Sequence, residues 1–377
     1  MKTKIAQALG LTAALFAASS FAQTIKVAQV VELSGGGTAA GSQYRNGAKL
    51  AFNEINAAGG IMGKKIEASE MDTQSQPAIA KAMTVKAIDE QVVAIFGPVF
   101  SGSIVVSQTE SQKAGIPNFT GGEASNVTAQ GNPFIFRSSF NQSMAIPKVA
   151  NYIATDLKAK TVAVLFVNND FGKGGRDAII KELAARNVKV AADISTDPGQ
   201  VDMSSAVLRA KQANADALFA YLNEEESAHL LKELRKQGYD KPLVGETTLM
   251  GSKVIELAGA AANGVRGHVG LTADAPMFKD FGAKYEREYK AKSDHNGIKG
   301  YFSAYMLKAA IEKAKSTDGK AIAAAMKNSC FKVKDHPGIL LDVCFDDKGD
   351  IDRESFLVEV KDGKQVVTQT LPMLNKR

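Results

Sequence analysis

The sequence predicts an α/β protein of two lobes, each built on its own mostly parallel sheet. Three observations lead there. Short apolar runs alternate with segments of helical spacing, which is the pattern of parallel strands covered on both faces. The alternation runs through IPNFT, Ile116 to Thr120, and then restarts at Ile146. After two such units the order changes: three helices are followed by Gly-punctuated strands. The chain therefore returns to complete both lobes, and repeated crossings between them make a hinge with a cleft beside it.

The elements follow in order. IKVAQVVEL reads as the first strand, and Ser42 to Ala57 as a helix with Leu50, Ala51 and Ile55 on one face, stopped by Gly59-Gly60. KKIEASEMD is the second strand. Pro77 to Glu90 is helical, with Pro77 suited to a first turn. VVAIF, a helix from Ile104 to Lys113 and IPNFT close the first unit. In the second unit, helices at Ile146–Leu157, Arg176–Arg186, Met203–Ala213 and Glu224–Gln237 alternate with strands TVAVLFV, VKVAADI, DALFAYL and PLVGET. The remainder gives helices at Phe278–Ala291, Gly300–Ala314 and Lys320–Asn328, then strands joined by the hairpin turns DDKGD and KDGKQ.

Lys2 and Lys4 precede a mostly apolar run from Ile5 to Ala18, and Ser20-Phe21-Ala22 has the small residues of a cleavage site. Residues 1–22 thus read as a secretory signal peptide cut between Ala22 and Gln23. No cysteine follows the cut, so no lipid anchor is expected and the protein is placed in the periplasm. The formal net charge of +6 falls to a milder positive balance once Lys2 and Lys4 are removed. No block of like charge calls for nucleic acid. The only cysteines, Cys330 and Cys344, suit one short-loop disulfide in an oxidising compartment. His229, His268, His295 and His336 are scattered without metal-ligand spacing, and no metal is expected.

In α/β sheets ligands gather beyond the carboxyl ends of strands, so the strand ends carry the functional reading. Gly35-x-Gly37-x-x-Ala40 formally matches a dinucleotide fingerprint, but small residues there serve any close helix–strand approach, and no cofactor is expected. GGIMGKK ends a helix instead of opening one and is no phosphate loop. After the third strand, GPVFSGS offers Ser101 and Ser103 either as helix caps or, with free N–H groups, as a seat for an anion. After the fourth, FTGGEASN adds Thr120, Gly122, Glu123 and Ser125. In the second unit Phe171 stands in the NNDFGKGG loop, placed to cover an apolar group. Asn223 with Glu226 resembles a capping box at the end of DALFAYL. Glu246, Thr247 and Thr248 follow PLVG. Nothing resembles GxSxG with its Asp and His partners, so no enzyme is expected.

In order and spacing, these motifs resemble type I periplasmic substrate-binding proteins, and within them the branched-chain amino-acid-binding group that serves ABC importers. The resemblance rests on SGGGTAAGSQYRNGAKLAFNEINAAGGIMGKKIEASEMDTQSQPAIA, the GP…SGS and GGEAS turns, IFRSSFNQS, NDFGKGG, NEEES and VGETTL, and it spans almost the whole chain after the signal peptide. It implies two Rossmann-like lobes joined by a three-crossover hinge: residues 23–141 plus 272–345, and residues 142–271 plus 346–377. It implies that Ser101, Gly122 (or Glu123) and Ser125 hold a ligand carboxylate while Phe171 covers the ligand. Departures stand beside it. Gln142 and Thr247 occupy positions where the group has acids for the ligand ammonium, and Asn223 stands where it has Tyr. Glu246, Glu224, Glu225 and Glu123 are candidate substitutes. The group's first-lobe disulfide is missing at the positions near Thr73 and Phe100.

The expected function is capture of an amino acid, branched-chain or otherwise apolar, by a monomeric solute-binding protein that delivers it to a membrane ABC permease. The same fold binding an amine-free, for example aromatic, carboxylate is the second reading. An exported enzyme or a sensor domain is the third.

Overall fold

The computed structural model describes residues 24–272 and 275–372; the segment read as a signal peptide lies outside them. The first sheet holds five parallel strands in the order β2-β1-β3-β4-β5. These are β1 (Ile25–Val31), β2 (Ile66–Asp72), β3 (Ala94–Phe96), β4 (Asn118–Thr120) and β5 (Ile135–Arg137). The helices between them are α1 (Thr38–Ala57), α2 (Pro77–Asp89), α3 (Ser101–Ala114) and the single turn α4 (Asn126–Ala129).

The second sheet, in the order β15-β14-β10-β9-β8-β6-β7, is parallel apart from its last two strands in sequence. The chain runs α5 (Gln142–Thr155), β6 (Thr161–Val167), α6 (Asp170–Ala184), β7 (Lys189–Thr196), α7 (Ser204–Gln212), β8 (Ala217–Tyr221), α8 (Glu224–Lys236), β9 (Leu243–Gly245), α9 (Ser252–Ala258) and β10 (Arg266–Val269). It then returns to the first lobe through α10 (Lys279–Tyr289), α11 (His295–Ala314) and α12 (Gly319–Met326). A small antiparallel sheet of β11 (Cys330–Phe331), β12 (Val343–Phe345) and β13 (Ile351–Asp352) follows. Finally β14 (Ser355–Lys361) and β15 (Lys364–Leu371) complete the second sheet.

The first lobe's core is a row of rings that follows the strand order. Phe52 meets Phe96 edge-on at 5.0 Å, Phe96 stacks on Phe119 at 5.4 Å, and Phe119 tilts against Phe136 at 5.8 Å. Phe136 then reaches Phe345 of β12 at 6.0 Å, which ties the returning segment to the first sheet. Such pairs add about 0.5–1.5 kcal/mol each beyond area burial. Helix α11 closes the lobe by lying on α1. Glycines allow the contact: a Cβ on Gly47 would stand 1.8 Å from Gly297 O, and one on Gly300 2.0 Å from Tyr44 O.

Several boundaries differ from the sequence reading, each for a local reason. Helix α1 starts at Thr38, ahead of the expected Ser42, because the turn before it is pinned from outside: Asp72 accepts from Leu33 N at 2.9 Å and Ser34 N at 3.1 Å, and Ser75 Oγ accepts from Gly37 N at 2.9 Å. Helix α6 starts at Asp170 instead of Arg176 because Asn169 caps it, accepting from Gly172 N at 2.9 Å. Strands β5 and β10 and helix α9 are too short to show a period, and the sequence reading passed over them. The segment 346–352 pairs with the first lobe, beyond the boundary expected at 345: Gly349 O accepts from Arg137 N at 2.9 Å, and Asp350 Oδ1 meets Arg137 Nε at 2.7 Å. Cys330 and Cys344 form a disulfide between directly opposed residues of β11 and β12.

Candidate functional site

A cavity of about 330 Å³ lies between the carboxyl ends of the two sheets. From the first lobe it is lined by Gly36 before α1 and Ala40 within it, by Ser75 and by Pro77 at the start of α2, by Val99 to Ser103, by Gly121 to Glu123, and by His295, Asn296 and Lys299 of α11. From the second lobe come Asn169, Phe171, Pro198, Gly199, Asn223, Glu224, Glu226 and Thr248.

The turn into α3 is built around a residue the sequence reading passed over. Glu32, fully buried at the end of β1, accepts from Val99 N at 3.0 Å and Phe100 N at 3.1 Å. Burial raises its pKa, and these N–H groups oppose the rise. Glu32 thus satisfies the backbone just before the helix, while Ser101 and Ser103 lie inside its first turn instead of capping it. Ser101 Oγ accepts from Glu123 N at 3.3 Å and Ala124 N at 3.2 Å, which locks the third and fourth strand ends together. An anion placed here meets a helix N-terminus with its partial positive charge.

Five expected residues, Ser101, Gly122, Glu123, Phe171 and Asn223, line the cavity. Phe171, in the first turn of α6, stacks on Tyr221 with centroids 4.3 Å apart. Asn223 precedes α8, and its Nδ2 donates to Glu226 Oε1 at 3.1 Å. The reciprocal backbone bond of a capping box is replaced by Gly199 N donating to the same oxygen at 2.7 Å.

The other four stand outside the lining. Gln142 supports the wall from behind: its Nε2 donates to Phe171 O at 2.8 Å and to Tyr221 OH at 3.1 Å. Ser125 turns toward a second hollow near β13 and donates to Asn141 Oδ1 at 2.7 Å. Thr247 donates to Glu246 Oε1 at 2.6 Å. Glu246 Oε1 also meets His268 Nδ1 at 3.0 Å, and the carboxyl group faces Glu123 closely enough to act on its charge. Burial first, and Glu246 second, push Glu123 up to about 7, and burial pushes His268 down to about 3. Glu123 is further held by Lys299 Nζ at 2.8 Å.

Sequence reasoning missed His295, Asn296 and Lys299 altogether. They sit in the first turn of α11, capped by Asp294 Oδ1 through Asn296 N at 2.8 Å and Gly297 N at 3.2 Å. The DHNGIKG stretch carried a weak signal, an Asp cap opening a helix, but nothing in it announces that this helix points at a cleft.

A two-lobed α/β architecture with three passages between the lobes and a lined cavity at the facing strand ends defines a binding protein that encloses a small solute. The family model for periplasmic binding proteins matches residues 24–365, and the chain belongs to that family. It is similar to the leucine-, isoleucine-, valine-, threonine- and alanine-binding protein of Pseudomonas aeruginosa, 27% identical over 348 residues and 90% of each chain. Among solved structures it resembles the branched-chain amino acid transporter substrate-binding protein LivJ of Streptococcus pneumoniae in complex with isoleucine, with 26% identity, a TM-score of 0.83, and 93% of this chain and all of that one covered. A solute-binding protein of R. palustris in complex with benzoate shares the fold with a TM-score of 0.86 at 21% identity, over 94% of this chain and 98% of that one.

Proposed function

We propose that this chain is an extracytoplasmic solute-binding protein that captures an apolar amino acid and hands it to a membrane ABC permease, without performing chemistry. The observation that carries this reading is the division of the cavity. Phe100, Phe171, Val99, Pro77 and Pro198 give it apolar walls, while the α3 N-terminus and the acids of α8 make it polar. A volume near 330 Å³ is at the small end for ligand sites and suits a single amino acid. The carboxylate rests on the N–H groups of Gly102 and Ser103, beside the Ser101 hydroxyl and Gly122. The side chain lies against Phe171, which Gln142 holds in place. Glu246 and Thr247 back the cleft without touching the ligand, while Glu123 lines it, held by Lys299.

Binding shifts an open–closed equilibrium because the ligand touches both lobes only when they are closed, and the permease then reads the closed form. The family and its relatives support this, and the expected monomer fits a protein whose two lobes complete the site alone.

A second reading, an amine-free carboxylate such as a benzoate, draws on Gln142 and Thr247, which are neutral. Thermal unfolding of the protein stripped of copurified ligand separates the two. The panel holds leucine, isoleucine, valine and phenylalanine, their 2-keto and deaminated analogues, and benzoates. A ligand at a hundredfold excess over its Kd adds about 2.7 kcal/mol. A shift with amino acids alone supports the first reading. A shift with the amine-free acids alone overturns it in favour of the second.

A further inference from the structure

Of the three acids among the described residues that line the cavity, two have partners that hold them in place. Glu123 is paired with Lys299, and Glu246, which stands outside the lining, is held by His268 and Thr247. One oxygen of Glu226 is taken by Gly199 N and Asn223. Glu224 remains. It lines the cavity, is 4% exposed, and forms no ion pair among the described residues; Lys299, the only Lys or Arg lining the cavity among them, acts on it from a distance but is bound to Glu123 Oε1 and Gly121 O. Across the cleft, Asn296 Nδ2 donates to Glu224 Oε1 at 3.2 Å.

Two of the polar atoms left over around the cavity are pure acceptors. Asn296 Oδ1 and Glu226 Oε2 are buried acceptors with no partner, in residues 1% and 3% exposed. Unpaired buried acceptors are costly, and a ligand supplying several N–H donors relieves them. A primary ammonium has three donors and a positive charge, so it matches both the unneutralised acid and the idle oxygens.

We propose that Glu224, with Asn296 Oδ1 beside it, is the seat for the ligand's ammonium group, in place of Glu246 or the neutral residues Gln142 and Thr247. This rests on the amino-acid reading above. Because Glu224 belongs to α8 of the second lobe and Asn296 to α11 of the first, the seat is complete only when the lobes are closed. The amine then contributes to closure as well as to selectivity.

The test compares the wild type with E224Q, E246Q and N296A by calorimetry, using leucine and 4-methylpentanoate, its deaminated analogue. The expected result is a loss of leucine affinity of about 100-fold in E224Q and about 10-fold in N296A, with 4-methylpentanoate unchanged or tighter in E224Q. A second readout follows protons. Burial, with Glu225 and Asp294 adding to it, pushes Glu224 up to about 8, so binding an ammonium near neutral pH ionises it. Leucine binding measured in buffers of different ionisation enthalpy then releases a proton in the wild type and less in E224Q. If leucine binds E224Q as tightly as the wild type, or E246Q shows the loss instead, the seat is overturned and the amino-acid reading stands. If no amine-bearing ligand binds the wild type, the reading and the seat fall together.

Discussion

The guanidinium of Arg353 stacks on the ring of Phe140, 5.4 Å from its centroid, and the ring of Phe302 lies 5.5 Å from the same group. Phe140 belongs to the first passage between the lobes and Arg353 to the third. Gly270 of the second passage also packs on Phe140, where a Cβ would stand 2.3 Å from the ring. One aromatic side chain thus touches all three strands of the hinge.

Arg353 is 2% exposed, and its three guanidinium nitrogens have no hydrogen-bond partner among the described residues. Burial alone pushes its pKa down to about 9. R353M, which keeps the packing and removes the charge, is expected to be at least as stable as the wild type in urea denaturation. F140A, which leaves a hole between the passages, is expected to cost about 3 kcal/mol. A clear loss of stability in R353M would mean that cation–π attraction outweighs desolvation here.

Glu32 organises the turn into α3 without lining the cavity. E32A leaves Val99 N and Phe100 N unpaired in a buried place, a cost of about 1–3 kcal/mol for each N–H. It is expected to lower the Tm and weaken leucine binding by about 10-fold, with E32Q in between. Calorimetry on both variants checks the order; an E32A that binds like the wild type removes Glu32 from the site's support.

The pH dependence of the ligand-free protein follows from Glu224. A carboxyl with a pKa of 4.5 in the unfolded chain and about 8 in the folded one keeps, on folding, a proton that the unfolded chain has released. Stability from this group is full below pH 4.5 and declines as pH rises through the window up to 8. Glu123, at about 7, and Asp294, at about 6, act with the same sign. Between pH 5 and 8 the wild type is expected to lose about 3 kcal/mol more than E224Q. Parallel stability curves for the two proteins would rule this out.

The Cys330–Cys344 bridge closes a separation of 14 residues, for which loop-closure entropy gives about 3 kcal/mol. It lies in the small β11–β12–β13 sheet and not in the cavity wall. Reduction, or C330S with C344S, is expected to lower the unfolding midpoint and leave the Kd for leucine within about twofold. A large change in Kd would connect this sheet to closure.

The fold was readable because its signals are periodic and repeated. β1, β6 and β8 are apolar runs bounded by turns, and α1, α5 and α8 carry apolar faces at helical spacing. Strands β5 and β10, only 3 and 4 residues long, carry no period of their own and exist because their neighbours pair with them. The site divides the same way. Ser101, Gly122 and Phe171 follow strands in sequence, where strand-end logic finds them. His295, Asn296 and Lys299 come from a helix that reaches the cleft only because α11 packs on α1, and no local pattern contains that fact. Glu32 was missed because a carboxylate at a strand end is ordinary in sequence, and its role as support for the α3 turn depends on a long-range contact.

That same pairing of α1 and α11 sets the order of events as the chain emerges. Tyr44 and Ser303, hydrogen-bonded at 3.0 Å, are 259 residues apart. A growing polypeptide carries the first lobe with its inner helix uncovered until nearly its whole length exists, and contacts of such separation form slowly. For a protein addressed to another compartment this delay is useful. The lobe stays unsealed until late, which suits a chain whose place of work lies outside the cytoplasm.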